Sequence, residues 1–515
     1  MNTEINKKFQ KKRMLFQRKN IFMASRSGSA LAYILIIMTV VSIILVSMLR
    51  YNSSQIIFSI NRTHREEAFQ IAESGIYFYR WYLAHTVSGK TVQQIKDFWQ
   101  NGNPYGVNTP YEGEFSDPSG GVIGKYKIEV QPPDVNSTII MVKSTGWTYA
   151  EPNSKRVVQV RFRRPSWSES AVVANDNMRF GQGTVVNGKI HSNKGIRFDG
   201  VATNIISSSL DKYDDPDHSG NNEFGVHTHV NAPPGSGVNN NFRPNEAPPT
   251  SPVPARADVF QAGRQFPVPG VDFNSVVSDL NFMKSEAQSG GRYFDDTGEG
   301  RRIILKTNGT FDICTVNSYD SASYGGGTYG SWRINSYKRN SGGGTCSSCS
   351  GLCLSNYPIP SNGIIFVEED VWVEGTINNE KVTIAAADLI GGPVASAYIG
   401  INNILYTNTD GKDIIGIVAQ KNISVVRDSQ NMLTVDAALL AQSGRVGRDW
   451  YPSSYDKNTI TVNGSIATNQ RYGFAWSDGT GYDTRNLNFD NNLLYYPPPY
   501  FPTGTEYYID LWEEL

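Results

Sequence analysis

The sequence of 515 residues has little charge, little cysteine and little histidine. Charged residues make up 18% of it, where soluble domains usually carry about 25%. The formal net charge is −1. That leaves no basic excess for neutralising phosphates and argues against nucleic acid as a partner. No G-x-S-x-G elbow, P-loop, H-E-x-x-H helix or dinucleotide fingerprint occurs, so the familiar hydrolase, nucleotide and zincin signatures are missing. The length excludes one small binding module or a single helical bundle. What is abundant is Gly (48), Pro (25) and Tyr (27), with many Asn and Ser. That composition favours turn-rich β structure.

The near-zero charge hides an asymmetry. Residues 1–28 carry eight basic groups (Lys7, Lys8, Lys11, Lys12, Arg13, Arg18, Lys19, Arg26) and one acid, Glu4, whereas the rest of the chain has a balance of −8. Between these parts lies Ser29–Leu49, 21 residues without a charge. At 1.5 Å per residue this run spans about 30 Å, the thickness of a bilayer core. The flanking charges predict a cytoplasmic head at 1–28 and an extracytoplasmic, cell-surface body after Arg50. A cleaved secretory signal would have a shorter apolar run of roughly 7–15 residues and a small-x-small site. Here the run is longer and continues into helix, which predicts a retained single-pass anchor in the lipid bilayer. Beyond it, Ala68, Ala72, Ile76, Tyr79 and Leu83 recur at spacings of three or four and form one helical stripe. A continuous helix over 29–85 would be about 85 Å long.

The basic leader, Arg26-Ser27-Gly28, the uncharged span and the extension through Ala68-Phe69-Gln70-Ile71-Ala72-Glu73-Ser74-Gly75 resemble type IV pilus minor pilins of the PilX type. The resemblance covers about 60 residues. It implies cleavage by prepilin peptidase between Gly28 and Ser29, and other pilins and the pilus assembly machinery as partners. Two positions depart from the major-pilin pattern: Tyr33 stands where those proteins have a Glu, and Ser29 where they begin with Phe or Met.

After the helix, KYKIEVQ, STIIMVKSTGWTY and KRVVQVRFRR read as strands of an antiparallel sheet whose apolar face would cover the helical stripe. Pro165-Ser166-Trp167 marks a boundary, closing a pilin-like helix-and-sheet unit over 50–167. From Ala171 short apolar pairs alternate with Asn and Gly turns, a texture that returns at Gly363 and runs to about Trp476. Intervals of about ten to twenty residues predict a right-handed parallel β-helix, with first coils at 171–206 and a main body with C-terminal cap at 363–515. A β-sandwich with long loops is the alternative. The C-terminal part also resembles an uncharacterised family of bacterial exported β-helix proteins, which implies a fold and no chemistry. Residues 207–362 read as an insertion holding Pro/Asn/Gly-rich loops, one helix begun by Asp272, and the cysteines. The fold class expected is thus α+β, a pilin-like transmembrane helix plus antiparallel sheet, followed by a mainly β body.

Cys314, Cys346, Cys349 and Cys353 suit two disulfides in an exported domain, or four thiolates around structural zinc. His191, His218, His227 and His229 cluster in sequence, and on a strand His227 and His229 face one side. Asp211, Asp214, Asp215 and Asp217 lie just upstream. A metal there is one reading, calcium at the acids or a borderline metal at the imidazoles, and a solvated polar loop is the other. Asp176, Asp199, Glu368, Glu369, Asp370, Glu374 and Asp388 are candidates for a paired-carboxylate polysaccharide-cleaving site, although no spacing singles out a pair. Tyr495–Phe501 suits either a sticky rim for a surface glycan or protein, or a cap on the end of the body. No catalytic residue and no cofactor are expected. The function expected is a non-enzymatic, membrane-anchored minor pilin or pilus-associated assembly or adhesion component. A membrane-tethered β-helix enzyme acting on polysaccharide and a structural envelope protein are the alternatives.

Overall fold

The structure, a computed structural model, describes residues 26–134, 137–217, 220, 222–239, 252–273, 277–296, 299–316, 349–392 and 394–515, with four two-residue strands between 319 and 337. Helix α1 (Arg26–Thr86) is unbroken over 61 residues. Its N-terminal half is bare: Leu31, Leu35, Ile37, Leu45 and Leu49 are all more than half exposed. Its C-terminal half buries the stripe foreseen from the sequence, with Ala68, Ala72, Ile76, Tyr79 and Leu83 no more than 1% exposed. The stripe meets β2 (Val122–Gln131) and β3 (Ile139–Thr148) of an antiparallel sheet whose other strands include β1 (Tyr111–Ser116) and β4 (Arg156–Arg163). Alternation in β2 places Tyr126, Ile128 and Val130 inward and their neighbours outward, as expected of a sheet with one covered face. Helix and sheet approach closely at Gly146, where a Cβ would stand 2.3 Å from the Ala68 carbonyl and 2.4 Å from the Ala72 nitrogen. Helix α2 (Val92–Gln100) starts in a Thr91/Gln94 capping box and closes the end of this layer with Ile95, Phe98 and Trp99.

A fifth strand, β5 (Tyr508–Glu514), completes the sheet antiparallel to β4, pairing Tyr508 with Arg163 and Trp512 with Val160. The sequence reading kept these residues in the C-terminal body. They return to the head because Tyr507 enters its core and its hydroxyl accepts from Trp99 Nε1 at 2.9 Å. The outgoing and returning chains lie side by side. Gly504 N–H donates to Pro165 O, Trp167 N–H donates to Pro502 O, and Arg164 Nη1 donates to Thr503 Oγ1.

The body is built mainly from parallel pairings between strands one turn of chain apart. Arg292–Phe294, Ile364–Val367, Lys381–Ala386, Ile414–Ala419, Met432–Ala441 and Lys457–Thr468 pair successively. The same ladder then jumps back in sequence to Val172–Ala174, and continues through Ile190–Ser192, Ile206–Ser208 and Arg264–Gln265. Arg301–Leu305, Val371–Ile377 and Ala397–Tyr406 form a second ladder. Part of Lys457–Thr468 joins Tyr482–Phe489, Thr184–Asn187 and Val201–Ala202 in a third. In this ladder the strands between 172 and 208 follow the strand ending at Thr468, and Arg292–Phe294 and Arg264–Gln265 lie at its two ends.

Register explains the core. Ile365, Ile384, Ile417, Leu439, Ile466, Val172, Ile190 and Ile206 stand in one column, each opposite the next, and none is more than 1% exposed. Each contributes about 1.5–3 kcal/mol of burial. The opposite face of the same strands is also apolar: Phe366, Ala385, Val418, Leu440, Ala467 and Val173 form a second column. Helix α3 (Val277–Ser289) covers part of it through Leu280, Met283 and Ala287, with Trp167, Phe273, Leu493 and Phe501. Burial on both faces is why these strands read as apolar runs rather than alternations.

In the aromatic segment Tyr495–Phe501, Tyr495 and Tyr496 are exposed whereas Pro497, Pro498, Pro499 and Phe501 are buried. The segment runs along the side of the stack, with Pro498 against Gly416, Pro499 against Gly363, and Thr383 Oγ1 donating to Pro499 O at 2.5 Å. The in-register Thr383 and Gly416 leave a shallow groove that larger side chains would fill.

Candidate functional site

The strongest concentration of chemistry among the described residues lies where 209–217 and 222–239 fold over the strands Met178–Phe180 and Ile196–Phe198. Val226–His227 extends these in parallel, setting His227 opposite Arg197. Lys212–Tyr213 and Glu223–Phe224 form an antiparallel pair beside them. The two layers approach closely at Gly225, where a Cβ would meet the Leu210 carbonyl oxygen. The result brings Asp215, Glu223, His227 and His229 together, with one potential ligand atom from each lying within 4.8 Å of the others. All four are buried, and His227, His229 and Glu223 are 0% exposed.

His229 Nδ1 donates to the Asn239 carbonyl at 2.7 Å, so Nε2 is the end that faces the cluster, 3.2 Å from Glu223 Oε1. His227 Nε2 stands against Glu223 Oε2 and 3.4 Å from Asp215 Oδ2. Neither ring nitrogen of His227 has a hydrogen bond of normal geometry among the described residues. The two rings lie on one side of their strand, with centroids 5.2 Å apart. Behind them Arg197 donates to Asp199 at 2.8 Å, and Asp199 accepts the His229 backbone N–H at 2.8 Å. Burial works against ionisation of Glu223, but the facing imidazoles of His227 and His229 outweigh it and hold the carboxyl down at about 2. At Asp215 burial again opposes ionisation, and His227 and the Asp217 backbone N–H overcome it. Burial disfavours the imidazolium of His227, yet the facing carboxylates raise its pKa.

The cluster adjoins a cleft of about 540 Å³ lined by Arg179, Asp217, Arg445, Arg471, Trp476 and Arg485, among others. Asp217 is held by Arg471 and lies 3.5 Å from Arg179. Arg485 is tied to the Thr184 hydroxyl and to backbone carbonyls. These cations therefore hold the wall of the cleft together.

Of the residues marked from the sequence, His227, His229 and Asp215 converge, and Asp199 supports them. Asp211 and Asp214 are exposed and lie outside the cluster. His191 sits elsewhere, between Ser207 and Asn193, and His218 lies outside the described residues. Glu223 carried no sequence signal, because it arrives through pairing with Lys212–Tyr213. The other carboxyls serve the framework. Glu368 holds Lys284 and accepts the Leu389 N–H, Glu369 holds Arg301, and Glu374 holds Arg302 and accepts from Asn402. Asp176 holds Lys194, Asp370 accepts the Ser396 N–H, and Asp388 accepts the Ile390 N–H. Each has its own partner.

Cys314 is buried and disulfide-bonded. It lies on Thr310–Val316, in register with Cys353 of the strand Cys349–Pro358, while Cys346 lies outside the described residues. Gly28 and Ser29 fall in the first turn of α1.

The described architecture is α+β: a long N-terminal helix, apolar enough to cross a membrane once, is packed by its second half on an antiparallel sheet and followed by mostly β structure. No protein-family model matches the chain, and no curated protein matches it. Among solved structures, it is similar to the competence-associated pilin ComZ from Thermus thermophilus. That likeness has 14% identity and a TM-score of 0.27, covering 88% of this chain and 98% of that one.

Proposed function

We propose that the chain is a non-enzymatic, pilin-like protein, held in a membrane by α1 and displaying its body on the outer side as a minor pilin or pilus-associated assembly or adhesion component. The division of α1 into a bare apolar half and a half buried in a sheet carries this reading. An apolar helix surface of that length needs lipid or other helices around it. Within the bare half Thr39 and Ser47 donate their hydroxyls to Leu35 and Ile43 carbonyls, so these two hydroxyls are satisfied without water. The basic leader supports a cytoplasmic N-terminus, and the resemblance of residues around Gly28 to prepilins supports cleavage before Ser29.

The body in this proposal is a parallel β-helix. The parallel ladders, the aliphatic column and the stacked asparagines described below support it. Its long side would be the surface offered to a glycan or protein ligand. Mass spectrometry of the mature N-terminus tests the pilus assignment: a start at Ser29 is expected. An intact Met1 would remove the pilus role and leave a membrane-anchored envelope protein. The polysaccharide-cleaving alternative requires reducing ends to appear when the purified chain is incubated with bacterial glycans, and none are expected.

A further inference from the structure

We infer that Asp215, Glu223, His227 and His229 bind one first-row divalent cation of the zinc class, which staples the segments carrying them onto the body. Two of their ligand-atom separations fit a coordination sphere. Zinc bonded to nitrogen and oxygen at about 2.0–2.1 Å in a tetrahedron separates its ligand atoms by about 3.3 Å. The His229 Nε2–Glu223 Oε1 and His227 Nε2–Asp215 Oδ2 distances are 3.2 and 3.4 Å. His227 is wholly buried with its Nε2 aimed into the group, yet it makes no aligned hydrogen bond among the described residues. Close nitrogen–oxygen approach without hydrogen-bond alignment is what ligands converging on a common point display.

The surroundings agree. The Nδ1 of His229 is turned to a backbone carbonyl, the usual outer partner that fixes a metal-bound imidazole. Asp215 is likewise oriented, its Oδ1 accepting the Asp217 N–H at 3.0 Å while Oδ2 faces His227.

Two imidazoles with two carboxylates suit zinc and its first-row neighbours, whereas calcium takes oxygen alone. A set of four protein donors among the described residues, buried throughout, has the form of a structural site. Its effect would be to tie the antiparallel pair Lys212–Tyr213 and Glu223–Phe224 to the strand that continues the parallel stack.

The test uses the full chain purified in detergent without chelator. About one zinc-class ion per chain is expected. Stripping it should lower the melting temperature, and Zn²⁺ should restore it. Replacement by Co²⁺ should produce the visible absorption of a four-coordinate nitrogen–oxygen site. Glu223→Gln and His229→Gln should each lose the ion. Because either variant could fail to fold, the metal content and Co²⁺ spectrum of the unmutated chain decide independently. A metal-free chain whose melting does not respond to Zn²⁺, Co²⁺ or Mn²⁺ would overturn the inference. So would a response to Ca²⁺ alone, or an ion retained by both folded variants.

Discussion

Asn187 donates its side-chain amide to Oδ1 of Asn488 at 2.8 Å, across 301 residues of sequence. Asn488 donates in turn to Asn463, and Asn463 to Asp436, each at 2.8 Å. Four successive rungs of one ladder thus carry a continuous side-chain hydrogen-bond chain, and it crosses the place where the stack jumps back in sequence. A side-chain ladder of this kind links register to polar satisfaction, since a slip of one residue would break every bond in it.

The middle rung should matter most. Asn463→Ala removes one donor and one acceptor, leaving Asp436 and Asn488 each short of a partner. It should cost about 1–2 kcal/mol. Asn187→Ala at the exposed end should cost less than about 0.5 kcal/mol. Denaturant midpoints for the two variants measure the difference, and equal effects would mean that the chain of amides is incidental to stability.

The head depends on close approach between α1 and the sheet. Gly146→Val puts side-chain atoms where the Ala68 carbonyl and Ala72 nitrogen already stand, and backbone cannot retreat as a flexible side chain can. A loss of about 2–3 kcal/mol in head stability is expected. Gly121 has open space around it, so Gly121→Val is the matched control. Tryptophan fluorescence during unfolding should report the first change and not the second, because Trp99 is in the head core.

These relationships differ in how far sequence exposes them. The stripe Ala68–Leu83 was legible because helical period is local, and the pairing of His227 with His229 was legible because strand period is two. The order of the coils was not. Ile466 could face any short apolar strand by pattern alone, and nothing near it announces Val172 as its neighbour. The return of Tyr508–Glu514 to β4 was hidden for the same reason, since its partner is distant in the chain, whereas Glu223 lies close to His227 in sequence and is brought in by a local strand pair that no periodicity marked. In Tyr495–Phe501 the aromatics suggested a surface, and Tyr495 and Tyr496 are exposed, but nothing in the sequence announced that the prolines fit a groove at Gly363, Thr383 and Gly416.

Asp370 should leave a pH signature. Burial pushes its carboxyl up to about 6, against the opposing hydrogen bond from Ser396. A raised folded value means that the favourable protonated form is fully present below the unfolded value near 4. That contribution is lost as pH rises through about 6. Asp370→Asn keeps an oxygen for the Ser396 N–H and cannot ionise. The melting temperature of the variant minus that of the unmutated chain should be near zero at about pH 4, and positive by about 2 °C at about pH 8. A difference that is flat across this window would mean that Asp370 is solvated in the folded chain.

The reversed coil order has a direct chemical test at Asn175 and Asn469. These residues follow the paired strands ending at Ala174 and Thr468, and the Asn175 amide donates to Asn469 Oδ1 at 2.7 Å. Laterally paired strands lie about 4.8 Å apart, within the Cα separation that a disulfide spans. Asn175→Cys combined with Asn469→Cys should therefore cross-link under mild oxidation. After proteolysis in the intervening loops, fragments carrying 175 and 469 should migrate together without reductant and separate with it. If the coils instead stacked in sequence order, residues 207–362 would intervene between the two cysteines and no such cross-link would form. The result depends only on which strand lies next to which, so it tests the topology separately from the metal site and from the membrane anchor.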